Sequence, residues 1–160
     1  MTVSRTTLAF WGYMRIALKE TSMPSIESLM VCAALNSLGE SRKIDIINYS
    51  MLEVSTGMEI INRLIRKGFI HQRTDQGDKR SRLLTLSEQG KKVLFLSFKK
   101  AALVREILLS DVTEDDKKLV AHILNPIQKK HTKLSVENKG KTIEDIYDLI
   151  IGTEKRNKKL

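Results

Sequence analysis

Residues 62–90 read NRLIRKGFIHQRTDQGDKRSRLLTLSEQG, and this stretch decides the fold. Its first part ends a run of apolar residues at helical spacing that begins at Val54. A basic last turn at Lys67 followed by Gly68 is typical of a helix C-terminus. Two short runs of β character follow, residues 69–73 and 81–86, on either side of a polar turn. The stretch therefore predicts an amphipathic helix followed by a β-hairpin.

A shorter helical segment precedes this helix, with Ile44, Ile46 and Ile47 as its apolar positions. The start of the longer helix has two interpretations. Residues 50–53 fit a capping box, and a start near Glu53 fits the pattern equally well. Short helix, tight turn, amphipathic helix and hairpin follow each other as in a winged helix-turn-helix, whose helix is of a size to enter the major groove of DNA.

The rest of the chain is predicted to be mostly helical, which makes the fold class mainly α with a small β-hairpin (α+β). Ser87 and Thr113 are well placed to cap helices, and Gly39 to stop one. The predicted helices cover residues 8–19, 26–38 and 88–109, a segment after Thr113 that kinks or ends at Pro126, and residues 143–151.

Composition sets limits on the class of protein. The chain has 160 residues, 41% of them hydrophobic, and a net charge of +9 from 28 Lys and Arg against 19 Asp and Glu. Such an excess attracts polyanions, either nucleic acid or an anionic membrane. No segment approaches the ~20 apolar residues that span a bilayer, and the first residues lack the apolar run of a signal peptide. We therefore expect a cytoplasmic protein.

Motifs of catalysis are missing from the sequence. His71, His122 and His131 are dispersed, and no cluster of Cys and His has metal-ligand spacing. There is neither a phosphate-binding glycine loop nor a nucleophile motif. The sequence predicts no enzyme, cofactor or metal, and Cys32, beside apolar Val31, is expected to be a buried, inert thiol.

Two stretches resemble the MarR (multiple antibiotic resistance regulator) family. Residues 62–70 are similar to the family's "DRLerrGLV" segment. Residues 78–90 are similar to its wing signature, "DxR", a strand and then "LTxxG". The resemblance extends over about residues 8–130 in element order and is sharp from about 43 to 94. It implies a DNA-binding transcriptional regulator, a repressor that binds a pseudopalindromic operator as a homodimer.

The resemblance also implies roles for single residues. Arg80 matches the wing arginine that enters the minor groove, where negative potential is concentrated. Asp78 matches the carboxylate that holds the wing in shape, although a turn-capping aspartate is an equal alternative. The polar side chains that the recognition helix offers to DNA are Ser55, Thr56, Glu59, Asn62, Arg63 and, at its end, Arg66. The candidate phosphate contacts are Arg42, Lys43, Arg73, Lys79 and Arg82.

The sequence departs from the family at several of these positions. Gly57 and Met58 stand where Val and Thr are common, and Glu59 replaces a frequent Arg. Gly57 costs roughly 1 kcal/mol of helix propensity relative to Ala. Ser50 and Met51 replace a typical Leu-Gly, so the turn before the recognition helix is expected to differ.

The predicted organisation is an N-terminal dimerisation helix (1–24), the winged region (25–90), C-terminal dimerisation helices (91–152) and a basic tail (153–160). A small aromatic ligand is a further implied partner. Phe10, Trp11, Tyr13 and Met14 are candidates to line its pocket, although core or dimer packing is the commoner role for such residues. The alternative function is a winged-helix protein-interaction module without specific DNA recognition, which a salt titration distinguishes from a DNA-binding protein.

Overall fold

The computed structural model describes residues 2–78 and 81–152. The chain forms two compact units, and the boundary between them in the sequence follows Val112. The first unit contains α1 (Thr2–Lys19), α2 (Ile26–Leu38), β1 (Ser41–Arg42), α3 (Lys43–Tyr49), α4 (Val54–Arg66), β2 (Ile70–Thr74), β3 (Arg82–Leu86) and α5 (Glu88–Leu108). The second contains α6 (Glu114–Glu137) and α7 (Ile143–Ile150). The predicted class, mainly helical with a small β-hairpin, is confirmed.

Capping residues and glycines mark where several helices begin and end. Ser25 precedes α2, and its side chain accepts a hydrogen bond from the Ser28 N–H at 3.1 Å. Gly39 and Gly68 have φ angles of 73° and 74°, a region that glycine enters without steric penalty. Ser87 caps α5 by accepting from the Gly90 N–H at 2.9 Å. The cap at Ser87 and the stops at Gly39 and Gly68 confirm the predictions from the sequence, whereas the cap at Ser25 was not predicted.

The sheet is antiparallel, with the strand order β1-β3-β2. The hairpin of β2 and β3 is the wing, and its register pairs Ile70 with Leu86 and Arg73 with Leu83. The edge strand β1 pairs Arg42 with the same Leu83 from the other side. β1 could not be predicted from the sequence, because two residues are too few to show an alternating pattern.

The helix-turn-helix is held together by a close approach of α3 and α4. Ile46, Ile47, Ile61 and Leu64 are fully buried between these helices and their neighbours. A methyl group on Gly57 would lie 2.6 Å from Cγ1 of Ile47, well inside van der Waals contact. The glycine that weakens the helix intrinsically is thus the residue that lets the two helices pack.

The turn before α4 decides between the two interpretations of its start. α4 begins at Val54, with Glu53 at the N-cap position, so the capping-box interpretation is wrong. The Ser50 hydroxyl is buried without a hydrogen-bond partner among the described residues. Met51 has φ 54°, the left-handed conformation usually left to glycine.

We expect Met51→Gly to raise the free energy of unfolding by about 1 kcal/mol, measured by urea denaturation. A left-handed conformation costs a non-glycine residue roughly 1–2 kcal/mol, and the greater freedom of glycine in the unfolded chain offsets part of the gain. Met51→Ala is the control, since it also removes the side chain but keeps the backbone penalty. A glycine variant no more stable than the alanine variant would contradict the prediction.

In the second unit, the helix end that was one of the two outcomes expected at Pro126 is wrong. α6 does not end at Pro126 but continues to Glu137. Because proline has no N–H, the His122 carbonyl lacks its usual helical donor there. Thr113 caps α6 as predicted, with its side chain accepting from the Asp116 N–H at 3.2 Å. Asn138 and the turn after it lead to α7.

The bounds of α1 and α5 differ to unequal degrees from the predicted ones. α1 begins at Thr2, earlier than the predicted Leu8, while α5 ends within a residue of its predicted end. No helix in the described ranges is both long and apolar enough to cross a bilayer. The predicted basic tail, residues 153–160, lies outside the described residues.

Candidate nucleic-acid interface

α4 has one apolar face and one polar face. Gly57, Ile60, Ile61 and Leu64 are buried against the rest of the first unit. The opposite face is exposed and carries five of the six predicted recognition residues, namely Ser55, Thr56, Glu59, Asn62 and Arg66. This arrangement leaves a helix of 13 residues with its polar side free to meet a groove.

Arg63 is the exception among the predicted recognition residues. Its side chain is half-buried, and Nη2 donates hydrogen bonds to the hydroxyls of Ser25 at 3.3 Å and Ser28 at 3.0 Å. Its Nε is buried and lacks a partner within the described part of the chain. Arg63 therefore ties α4 to the first turn of α2, and the structure does not bring it to the exposed face.

The start of α3 lies beside α4. The Lys43 ammonium donates to Oδ1 of Asn62 at 3.1 Å, which places a cation next to the exposed face. A cleft of about 380 Å³ opens at the same place, between the helix-turn-helix and the end of the wing next to its turn, where β3 begins. Its lining includes three cations and consists of Arg42, Lys43, Ile44, Met58, Ser81 and Arg82. A backbone phosphate is the kind of group that such a lining attracts.

The turn of the wing is shaped by Asp75, a residue that is not among the predicted site residues. Its carboxylate accepts the Gly77 N–H at 3.0 Å and a contact from Arg42 Nη2 at 3.3 Å. The backbone hydrogen bond from Gly77, and then Arg42, holds the pKa of the Asp75 carboxyl below its usual range. The carbonyl of Asp78 also accepts the Ser81 N–H at 2.8 Å. The shaping role of the Asp78 carboxylate stays a prediction from the resemblance.

A second acidic residue, Glu40, meets the wing from the loop before β1. Arg73 donates from Nε to Oε1 of Glu40 at 2.6 Å and from Nη2 to Oε2, a two-point ion pair. This hydrogen bonding lowers the pKa of Glu40 and raises that of Arg73. Because Glu40 lies more than 30 residues from Arg73 in the chain, neither periodicity nor motif spacing could have indicated the pair.

Of the remaining predicted DNA contacts of the wing, the structure describes one and leaves two undescribed. Arg82 is exposed on β3, and its Nη1 donates to the hydroxyl of Thr74. Lys79 and Arg80 lie outside the described residues, so their roles remain predictions from the resemblance.

The four predicted ligand-binding residues do not share one site. Met14 is buried in the core, and the rings of Phe10 and Trp11 pack edge to face, 5.6 Å between centroids, partly buried against it. Tyr13 is exposed and lines a cleft of about 160 Å³ between α1 and α5, near the ion pair of Glu20 and Lys100. Of the four, Tyr13 has the position for a ligand contact.

Other reactive groups are inert or dispersed. Cys32 is fully buried in α2, and burial raises the pKa of its thiol to about 12, as expected for an unreactive cysteine. Within residues 2–78 and 81–152, no group of His, Cys, Asp and Glu side chains is arranged to hold a metal ion.

Comparison with known proteins rests on structure. No protein-family model matches the sequence, and no curated protein matches it significantly. Among solved structures, the transcriptional regulator SlyA matches with a TM-score of 0.72 and 19% identity over 84% of this chain and 94% of SlyA. MarR from E. coli matches with a TM-score of 0.71 and 12% identity over 79% of this chain and 93% of MarR. BpsR from Bordetella bronchiseptica matches with a TM-score of 0.65 and 16% identity over 80% of this chain and 99% of BpsR. At such identities the likeness establishes the fold, the winged-helix fold of these regulators.

Proposed function

We infer from the fold shared with MarR and SlyA, together with the wing motif, that this chain is a MarR-family transcriptional regulator, and we propose that it represses transcription by binding a specific DNA operator. The observation that carries the proposal is the exposed polar face of α4 beside a cleft lined by three cations, Arg42, Lys43 and Arg82. The net charge of +9 favours the same partner.

The contacts are assigned by position. Ser55, Thr56, Glu59 and Asn62 read base edges in the major groove, because they occupy the exposed face of α4. The cations of the cleft, together with Arg66, bind backbone phosphates and fix the register. The resemblance adds Asp78, Lys79 and Arg80 at the tip of the wing.

We propose a homodimer as the binding form. Apolar side chains are exposed on helices of both units, including Leu8 and Ile16 on α1 and Leu103 and Ile107 on α5. On α6 the exposed apolar residues are Leu119, Val120, Ile123, Leu124 and Ile127. A second copy would cover such surfaces, and a twofold dimer would place two α4 helices roughly 34 Å apart, on two half-sites.

Release by a small aromatic ligand is part of the proposal. The DNA binding of BpsR is regulated by 6-hydroxynicotinic acid. In this chain the cleft beside Tyr13 supplies an aromatic ring together with the charged groups of Glu20 and Lys100, a combination suited to a small aromatic compound.

Selection of bound duplexes from a random-sequence pool tests the proposal. We expect enrichment of a dyad-symmetric element, and we expect Ser55→Ala to bind it about fivefold more weakly, the value of one hydrogen bond of roughly 1 kcal/mol. Ser37→Ala, at an exposed position in the last turn of α2, is the matched control and should bind as the wild type does.

The alternative, a protein-interaction module, predicts a different result. It would show no enriched element and no steep loss of DNA affinity as salt rises. Either a pool without dyad symmetry or equal binding by the Ser55 and Ser37 variants would count against the assignment of α4 as the reading helix.

A further inference from the structure

Arg73 on β2 is already bound to an anion within its own chain. Glu40 accepts from both Nε and Nη2, and Nη1 makes a longer contact of 3.4 Å with the Thr74 carbonyl. Each of the three guanidinium nitrogens thus has an intramolecular acceptor. Within the described part of the chain, Arg42 by contrast makes one contact, at 3.3 Å, with Asp75, which is itself engaged with the Gly77 N–H. The charge of Arg73 is therefore more fully balanced by its carboxylate partner than the charge of Arg42 is.

The two arginines nevertheless occupy equivalent places in the sheet. Leu83 on the central strand pairs with Arg42 on one side and with Arg73 on the other, so the three residues form one row across the sheet. Side chains in one row share a face of the sheet. Arg42 lines the basic cleft. Arg73 therefore lies in the same row and on the same face of the sheet as Arg42, for which phosphate binding is proposed. The charge of Arg73, however, is balanced by Glu40.

The geometry of the pair imitates the way in which arginine holds a phosphate. A carboxylate and a phosphate both present two oxygens to the guanidinium fork, and the two-point arrangement is strong for either. A cation contributes to non-specific DNA affinity by releasing counterions from the duplex, and this contribution needs its net charge. An arginine whose guanidinium fork keeps both oxygens of a carboxylate, as Arg73 does with Glu40, therefore supplies no net charge to DNA.

We propose that Glu40 acts as an internal substitute for DNA phosphate on Arg73, so that Arg73 adds nothing to non-specific DNA binding and Glu40 becomes a determinant of specificity. This inference rests on the proposed function. Specific binding gains from base contacts that Glu40 does not affect, whereas non-specific binding depends on cations alone. Glu40 thereby keeps the ratio of specific to non-specific affinity high.

The test measures the affinity of the full-length protein for a duplex of arbitrary sequence as salt is raised from roughly 50 to 200 mM. Glu40→Gln keeps the shape of the side chain but removes its charge. We expect the slope of log affinity against log salt to become steeper by about 0.9, which is about a threefold larger loss of affinity over this range. Arg73→Ala should leave the wild-type slope unchanged.

Glu27→Gln is the matched control. Glu27 is an exposed glutamate in the first turn of α2, about 17 Å along that helix from the end next to Glu40. It removes the same charge from the protein, so an equal change of slope in both variants would reduce the effect to net charge and overturn the proposal. The double variant Glu40→Gln with Arg73→Ala should return to the wild-type slope.

Two further results overturn the inference. If Arg73→Ala alone reduces the steepness by about 0.9, Arg73 contacts phosphate in the wild type despite Glu40. If Glu40→Gln has the wild-type slope, the released charge does not reach DNA. Failure of the proposed function is recognised separately, because the wild-type protein would then enrich no dyad-symmetric element from the random-sequence pool, whatever the salt slopes of the variants.

Discussion

Gly90→Ala is expected to lower the free energy of unfolding by about 3 kcal/mol, the upper end of the usual cost of overpacking. The reason is the contact between the start of α5 and the chain that enters β2. A methyl group on Gly90 would lie 2.1 Å from the Phe69 carbonyl oxygen and 3.0 Å from its carbonyl carbon. These are backbone atoms, so no rotation of a side chain relieves the clash.

The backbone of Phe69 has little room to move. Its carbonyl accepts the Ser87 N–H at 3.0 Å, and the Ser87 hydroxyl donates to the Gly68 carbonyl at 2.6 Å. A shift that accommodates alanine would break these hydrogen bonds and displace the cap of α5. The glycine that ends the wing motif in the sequence is thus required by a close backbone approach.

Two glycine variants serve as controls for this experiment, measured by urea denaturation. Gly12→Ala lies in α1 with open space around it and should stabilise the protein by roughly 0.5–1 kcal/mol, the helix preference of alanine. Gly57→Ala meets Ile47, a side chain with some freedom to move, and should fall between the two. Equal stability of the Gly90 and Gly12 variants would show that the close approach does not constrain the fold.

Arg63→Ala is expected to lower the free energy of unfolding by about 2 kcal/mol, through the loss of charged hydrogen bonds that join two helices. Nη2 of Arg63 contacts both Ser25 and Ser28, and the Ser28 side chain is fully buried. Removal of the guanidinium leaves the Ser28 hydroxyl with fewer partners in a buried place. Arg63→Lys should recover part of the loss, since an ammonium donates but lacks the planar fork.

Arg66→Ala is the matched control, because Arg66 lies one turn further along α4 and is exposed. It should change stability by less than about 0.5 kcal/mol, as surface substitutions usually do, but should weaken DNA binding in a salt-dependent way. Arg63→Ala should show the opposite pattern under conditions where it remains folded. If the stability losses of the two variants were alike, Arg63 would not be the tie between α2 and α4.

Short-range signals made most of the fold predictable. Ser87 and Thr113 could be predicted as caps, because a serine or threonine oxygen at the start of a helix accepts from backbone N–H groups that have no helical partner there. Gly39 and Gly68 end helices for an equally local reason. The apolar face of α4 could be predicted because its apolar residues recur at helical spacing. The opposite, polar face is the candidate surface for contacts with DNA bases.

Features that depend on distant partners were not predictable. Arg63 looks like one more polar residue of α4 until α2 is placed beside it. Glu40 and Asp75 belong to no sequence motif, since their roles depend on arginines that are distant in the chain. The sheet brings them together through β1, a strand of only two residues. Gly57 was recognised as unfavourable for a helix, but the benefit lies in its contact with Ile47, which only the packing of α3 against α4 reveals.

The shape of the sheet has a consequence for how the protein behaves at high concentration. Its two outer strands present unpaired backbone groups, which in many proteins invite strand addition from neighbouring molecules. Here one outer strand, β1, is only two residues long, and the other, β2, carries exposed polar and charged residues from His71 to Thr74. Both features discourage edge-to-edge growth, so the wing remains a discrete projection instead of a seed for fibrils.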